Sequence, residues 1–579
     1  MIDATNRNTA LASALVEELA RAGVRHAFLS PGSRSTPIAL ALDREPAIAL
    51  EVVLDERCAA FAALGAGLAS GAPAVVACTS GSAAANLHPA VVEADEAGVP
   101  MIALTSDRPA ELRAVGAGQT IDQIGLFGSA TRWFCEVGTH AADDAGLLHM
   151  RATGSRAVAE ASGRRGPVHL NLAWREPLGP APAADVSARD GLALGGRSGG
   201  GPLTAAPAGR EAGADLVAAT AEAVGRAARG MIVAGRLPGR RLVPAISALA
   251  ERTGFPLLAD PTSQLRFGPH DRTAVVTAYD LIVRAGRAEL APDLVLRFGD
   301  MPTSKALRLW LRESGCDQIV VDPPGRWNEP TRVAGAFVRA DPEALIERLL
   351  PLLPQARSER SPWQRGWREA ESAARAAIAA ALDRAGGLSE PALQRALGRA
   401  YGDGERVLLG SSMPIRDAEA FLEGGPRSVT FHANRGANGI DGLVSTGAGI
   451  GLGAAAPAWI VIGDLALAHD IGGLALAARI ATPIRVVVVD NGGGGIFDFL
   501  PQAERIDPDR FRRLFTTPSG LDLEPAAAAY GLPYERIADE DGIEGLAGRD
   551  RVLAHVPIGR GDNVGLHRRI AAAVASPPS

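Results

Sequence analysis

The sequence predicts an α/β protein built from three doubly wound parallel-sheet domains. Three observations point there. Short apolar runs recur between helical patterns, at 24–29, 74–78, 294–298, 459–462 and 484–489 among others. Strands that are apolar on both faces belong to parallel sheets covered on both sides. The chain has 579 residues, too many for one core, and roughly 150 residues per domain suggests three or four. Two stretches crowded with Pro, Gly and Ala, around 176–213 and 351–362, divide the chain into three blocks. The expected boundaries are a first domain at 1–180, a linker at 181–212, a central domain at 213–352, a linker at 353–372 and a last domain at 373–579.

Block one opens with an amphipathic helix over 9–22, followed by strands at 24–29, 49–54, 74–78, 101–104 and 168–172. Block two carries strands at 230–234, 256–259, 294–298 and 318–321. Block three carries them at 406–409, 429–432, 459–462, 484–489 and 551–555. The stretch 443–463 has no charge and is long enough to span a bilayer. Ser, Thr, Pro and many Gly interrupt it, so it reads as a buried helix followed by a buried strand, not as a membrane span.

A net charge of −6, from 59 basic and 65 acidic residues, disfavours generic nucleic-acid binding. Four cysteines without a C-x-x-C pair fit buried thiols in a reducing compartment. No apolar stretch follows a basic N-terminal region, so a cytoplasmic location is expected. Among 59 basic residues the sole lysine is Lys305. A compact ammonium is not replaced by Arg where a point charge is needed, although chance survival explains a lone lysine equally well.

The chemistry concentrates at strand ends. Gly463-Asp464 closes one apolar run, and Asp490-Asn491-Gly492-Gly493 closes another, with 27 residues from Asp464 to Asn491. That gap accommodates one crossover helix, so the two tips can be parallel neighbours. Two oxygen-bearing tips beside glycines suit a hard cation and a diphosphate, because Mg²⁺ takes a few protein oxygens and the rest from phosphate and water. The plainer reading is two α/β strands with an acidic cap. Glu56 sits where a strand meets a helix; the simplest reading is helix-start capping, and the functional one is a carboxylate on a cofactor ring nitrogen.

Further loops join these. Ser30-Pro31-Gly32-Ser33-Arg34-Ser35-Thr36-Pro37 suits an anion pocket at a helix start, and the plainer reading is an ordinary helix cap with Pro in the first turn. Arg108 and Gln119 lie on loops at the same sheet edge. Arg297 and Lys305 lie near one edge in block two. Ser412 and Arg416 follow a strand in block three, and the run Asn434-Arg435-Gly436-Ala437-Asn438-Gly439-Ile440 follows another. Arg34, Arg108, Lys305, Arg416 and Arg435 gathered at strand-end loops of a slightly acidic protein imply a small polyanionic substrate. For any single one, a surface ion pair is the simpler reading.

Taken together, these pieces resemble the thiamine diphosphate enzymes over essentially the whole chain. Within them the similarity is greatest to the 2-succinyl-5-enolpyruvyl-6-hydroxy-3-cyclohexene-1-carboxylate (SEPHCHC) synthases of menaquinone biosynthesis. The carrying motifs are SPGSRSTP at 30–37, DER at 55–57, SDRP at 106–109, PTSK at 302–305, NRGANGIDG at 434–442 and GGGGIFDFLP at 492–501. The resemblance implies a thiamine diphosphate- and Mg²⁺- (or Mn²⁺-) dependent transferase. It would decarboxylate 2-oxoglutarate and add the succinyl unit 1,4 to isochorismate, working as a homodimer or a dimer of dimers.

Residue by residue, the resemblance puts Glu56 on the cofactor's aminopyrimidine and Ile440 under its bend. Ser412, Gly463 and Leu465 lie along the cofactor. Asp464, Asn491 and the Gly493 carbonyl take the metal. Ser33, Arg34, Arg108, Gln119 and Lys305 contact isochorismate. Ser412 and Arg416 contact the succinyl carboxylate, and Ile496, Phe497 and Leu500 form an apolar wall. Arg435 lies near the reacting centre, with Gln119 as a further catalytic candidate. Three positions depart from the pattern. Ala466 stands where Ser is common, Gly472 where Asn is expected, and Gly118 where Asn often precedes the Gln. The rivals are another enzyme on the same scaffold, such as an acetolactate synthase or a 2-oxo acid decarboxylase, and a catalytically inactive binding protein that keeps the fold.

Overall fold

The computed structural model describes residues 2–205, 211–354 and 361–576. Eighteen strands form three six-stranded sheets, and every pairing is parallel. The first sheet contains β1 (His26–Leu29), β2 (Ala49–Val52), β3 (Ala74–Cys78), β4 (Met101–Asp107), β5 (Trp133–Glu136) and β6 (Pro167–Ala173), in the order β2-β1-β3-β4-β6-β5. The second contains β7 (Gly230–Ala234), β8 (Leu257–Ala259), β9 (Val275–Val276), β10 (Leu294–Phe298), β11 (Asp317–Val321) and β12 (Ala336–Val338), in the order β12-β11-β10-β7-β8-β9. The third contains β13 (Arg406–Leu409), β14 (Thr430–His432), β15 (Ala458–Gly463), β16 (Ile484–Asp490), β17 (Tyr534–Arg536) and β18 (Arg551–Pro557), in the order β14-β13-β15-β16-β18-β17.

The first and third sheets therefore share one strand order, 2-1-3-4-6-5, whereas the second follows 3-2-1-4-5-6. In each, the order reverses near the middle of the sheet: between β1 and β3, between β7 and β10, and between β13 and β15; the first and third turn back again at the β6–β5 and β18–β17 edges. Crevices at the carboxyl ends of strands beside such a reversal are where open α/β sheets bind ligands. The central strands are buried throughout, as β3, β4, β6 and β10 illustrate. Helices on both faces supply the apolar cover that this burial requires.

The chain divides into two compact units. The first contains residues 2–205 together with 434–455 and 469–482. Its characteristic packing is between the helices Glu56–Ser70 and Leu443–Ala454. A Cβ on Gly65 would lie 2.0 Å from the Thr446 carbonyl oxygen, and one on Gly449 would lie 2.0 Å from that of Ala62. The two backbones touch, so only glycine fits at these crossings. The second unit contains the second sheet and the strands of the third.

The structure bears out one expectation and changes others. The stretch 443–463 is a twelve-residue helix followed by β15, and no helix among the described residues is long and apolar enough to cross a membrane. Residues 181–205, in the first expected linker, belong to the first unit. They contain the helix Gly191–Gly195, and Ala188 and Ala193 are buried in the first unit's core. Arg151 donates to the Ala193 and Leu194 carbonyls, which fastens this segment down. In the second expected linker, residues 355–360 lie outside the described residues. From Pro362 onward the chain is the helix Pro362–Ala385, with Trp367 fully buried. Strands β5, β9, β12 and β17 were not expected.

Candidate active site

In the first unit, Glu56 begins the helix Glu56–Ser70, but it does not cap it. Asp55 does, its carboxylate accepting from the N–H groups of Arg57 at 2.8 Å and Cys58 at 3.4 Å. The half-buried Glu56 carboxylate accepts one long bond, 3.4 Å, from Asn86 Nδ2. The capping explanation for Glu56 therefore falls to its neighbour.

Beside the first reversal point, the loop after β1 carries Ser33, exposed, and Arg34. Arg34 donates to the Trp174 carbonyl at 2.9 Å and pairs with Glu176 at 3.5 Å, while its Nε is buried without a partner. Arg108, at the end of β4, donates to Ser80 Oγ and the Gln119 carbonyl. Partial burial, with the nearby Arg34 charge, lowers the Arg108 pKa. Gln119 sits at φ +55° and donates Nε2 to the Ser80 carbonyl at 3.0 Å. The structure thus brings Arg108 and Gln119 together on Ser80, with Arg34 close enough to repel Arg108. Two like-charged guanidiniums gathered on strand-end loops suit a dianion.

Arg435 and Ile440 also belong to the first unit and are half-buried. Their loop is anchored by a residue that the sequence did not single out. Glu93, 3% exposed, accepts from the N–H groups of Gly436 at 2.8 Å and Ala437 at 2.7 Å. Asp470 similarly accepts from Ser445 N at 2.8 Å and the Cys58 thiol at 3.5 Å. Burial pushes Asp470 up to about 6. Gly472 leaves room here, since a Cβ would stand 3.3 Å from Cys58 Sγ. A larger residue there would crowd that thiol.

In the second unit, β15 and β16 are paired neighbours whose tips carry Asp464 and Asn491. Asp464 is 5% exposed, and backbone N–H groups of Leu465 and Gly493 hydrogen-bond its carboxylate. Burial and the Asp490 charge nevertheless raise its pKa to about 6. A carboxylate held at such a cost is one that a cation would relieve. Asn491 Oδ1 is buried without a partner. Gly493 takes φ +123°, and a Cβ there would lie 2.1 Å from the Thr516 carbonyl. Both the backbone angle and the space require glycine. Asp464, Asn491 Oδ1 and the Gly493 carbonyl make a small, hard oxygen set, which fits Mg²⁺ completed by diphosphate and water. Among the described residues, no cluster of three or more His, Cys, Asp or Glu offers a competing metal site.

The Asn491 amide donates to Glu390 at 2.7 Å, a contact that sequence reasoning missed. Glu390 is 2% exposed at the start of the helix Glu390–Ala400. Against it lies the fully buried Asp417, raised well above the usual carboxylate range by burial and by the Glu390 charge.

The remaining candidates follow the loops. Ser412 takes φ +73° before the helix Met413–Phe421, and the exposed Arg416 donates to its carbonyl at 2.6 Å. Gly463 and Leu465 flank Asp464 and are half-buried. Ile496 and Phe497 lie half-buried on the short helix Gly495–Phe499, and Leu500, 37% exposed, follows it. Phe497 packs edge-on to Phe515 at 5.8 Å. Lys305 is exposed at the first position of the helix Lys305–Glu313, which Ser304 caps. Arg297 does not join it as a ligand cation. It is fully buried, donates to the Asn328 carbonyl and faces Glu329 at 3.8 Å, and burial brings its pKa down to about 10.

Family models match three segments: the thiamine pyrophosphate enzyme N-terminal TPP binding domain at residues 9–126, the middle domain at 213–408 and the C-terminal TPP binding domain at 425–549. A 2-succinyl-5-enolpyruvyl-6-hydroxy-3-cyclohexene-1-carboxylate synthase from Chloroflexus aurantiacus is 44% identical over 537 residues, covering 91% of this chain and 89% of its own. One from Myxococcus xanthus is 42% identical, covering 99% of this chain and 98% of its own. One from Bacillus velezensis is 41% identical, covering 92% and 90%.

Proposed function

Because the chain belongs to the thiamine diphosphate enzymes, and within them to the SEPHCHC synthases, we propose that it joins a succinyl unit from 2-oxoglutarate to isochorismate with loss of CO₂. This is a 1,4-addition that makes SEPHCHC for menaquinone biosynthesis. Thiamine diphosphate, when bound, supplies the electron sink for decarboxylating a 2-oxo acid and passing on the acyl unit.

The observation that carries this reading is the pair of strand tips. Two adjacent parallel strands present Asp464, with its backbone N–H clasp, and Asn491, with an unpartnered buried oxygen. Asp464, Asn491 and Gly493 hold Mg²⁺ (or Mn²⁺), and Gly463, Leu465 and Ser412 lie along the cofactor. Glu56 would exchange a proton with the aminopyrimidine nitrogen, and Ile440 would pack against the cofactor. Ser33, Arg34, Arg108, Gln119 and Lys305 bind isochorismate, whose two carboxylates need cations. Ser412 and Arg416 take the carboxylate of the succinyl unit. Ile496, Phe497 and Leu500 keep water from the reacting centre, and Arg435 and Gln119 orient the acceptor.

On this reading the chain comprises a pyrimidine-binding domain at 1–180, a central domain at 213–352 and a diphosphate-binding domain at 373–579. The three sheets, spanning 26–173, 230–338 and 406–557, fall inside these limits. The active form is a homodimer or a dimer of dimers in the cytoplasm, because pyrimidine and diphosphate halves of a site come from different chains in this superfamily. The reading is tested by CO₂ release from 2-oxoglutarate. Release that requires thiamine diphosphate and a divalent metal supports it, and release without either contradicts it.

A further inference from the structure

Glu390 accepts from Asn491 Nδ2 at 2.7 Å, while Asn491 Oδ1 is buried and unpartnered. A carboxylate only accepts hydrogen bonds. An asparagine facing it must therefore present its N–H₂ to it and turn its oxygen the other way. Gly495 makes room for this orientation, since a Cβ there would lie 2.5 Å from Asn491 Nδ2. Glu390 itself cannot swing away. It is 2% exposed, at the start of a helix capped by Ser389, with Asp417 packed against it and His567 Nε2 3.4 Å from Asp417 Oδ1.

We propose that Glu390, backed by Asp417, is a positioning residue that fixes the amide orientation of Asn491 so that its oxygen, not its nitrogen, faces the divalent metal. This rests on the reading of Asn491 as a metal ligand. An asparagine amide is nearly symmetric in shape, so packing alone does not tell its two ends apart. A buried acceptor does, and outer partners of this kind typically change metal affinity by 10–100-fold when lost.

The test is titration of Mn²⁺ into the full-length protein with saturating thiamine diphosphate, with free Mn²⁺ read by electron paramagnetic resonance. Asn491→Ala should weaken binding at least about 10-fold. Glu390→Met, which fills the same volume without an acceptor, should weaken it by a similar factor, whereas Glu390→Gln keeps an acceptor oxygen and should stay within about threefold. In an Asn491→Asp background both ends are oxygen and there is no amide to orient, so adding Glu390→Met, which also removes the like charge facing the new carboxylate, should not weaken Mn²⁺ binding.

An equal loss from Glu390→Met in both backgrounds would mean a structural effect only and would overturn the proposal, as would wild-type binding by Glu390→Met. Unchanged binding by Asn491→Ala would instead overturn the metal-ligand reading beneath it. If Glu390→Met does not fold, a wild-type crystal structure with Mn²⁺ and thiamine diphosphate decides. Asn491 Nδ2 still on Glu390 with Oδ1 on the metal supports the proposal, and an amide turned away from Glu390 overturns it.

Discussion

Asp55 caps the helix that Glu56 begins. Its carboxylate takes the Arg57 and Cys58 N–H groups, so capping does not account for Glu56. Replacing each residue should tell the two apart. Glu56→Gln should leave cofactor binding nearly intact and cut turnover by about 10²–10⁴-fold, since it removes a proton relay. Asp55→Ala should cost about 1 kcal/mol of stability through the lost cap. Thermal melts with kcat for both variants check this; normal turnover in Glu56→Gln would show that the carboxylate is misassigned.

Removing the metal should remove the activity. Asp464 pays for its burial with a raised pKa, and the neighbouring Asn491 oxygen has no protein partner. Chelation should abolish turnover and release thiamine diphosphate, and Mg²⁺ or Mn²⁺ should restore both. Asp464→Ala should show the chelated behaviour with metal present. Cofactor fluorescence after gel filtration is the readout; cofactor retained in chelator would count against the strand-tip site.

The sole lysine should matter to one substrate. Lys305 stands exposed at a helix start, and a charge-assisted bond to a carboxylate contributes about 1.5–3 kcal/mol. Lys305→Ala should therefore lower kcat/KM for isochorismate by about 10–150-fold, with little change in decarboxylation of 2-oxoglutarate. An equal loss in both half-reactions would point to a structural role.

Acid should destabilise the fold through buried histidines. Thr105 donates to Asn171 Oδ1, so it accepts from His169 Nε2, and His169 Nδ1 is buried without an acceptor. Burial brings His169 and His432 down to about 3 each. The unfolded chain takes up these protons near pH 6.5 and the folded chain does not. Stability is therefore intact above about pH 6.5 and falls as pH drops toward 3, by about 2 kcal/mol per histidine at pH 5. His169→Gln should flatten the slope of stability against pH between about 6 and 4. Denaturant melts across that range check it; an unchanged slope would mean that His169 is not buried in its neutral form.

The central strands were legible in the sequence because burial on both faces makes each an unbroken apolar run, as at β3 and β16. The missed strands are all at or next to sheet edges. β5 is half-exposed along its length, β9 has two residues, and β12 and β17 have three each, so none carries a clear hydrophobic signature. The shared strand order of the first and third sheets left no sequence repeat to read. Asp464 and Asn491 were legible as neighbouring strand tips because each closes an apolar run beside glycine. Glu93 and Glu390 were not, because an acidic residue within a helix or at its first position is ordinary. Only the fold shows that one accepts from the N–H groups of a loop and the other from the Asn491 amide. The burial of Arg297 against Glu329 was not legible, because a strand-end arginine looks the same whether it faces solvent or a buried glutamate.

The most direct test of the account is mass spectrometry of the product formed from purified protein, thiamine diphosphate, Mg²⁺, 2-oxoglutarate and isochorismate, with each omitted in turn. The account predicts one new adduct, with the mass of isochorismate plus 2-oxoglutarate less CO₂, that needs all four additions. CO₂ release without that adduct would contradict the assigned acceptor, and an adduct formed without thiamine diphosphate would contradict the chemistry as a whole.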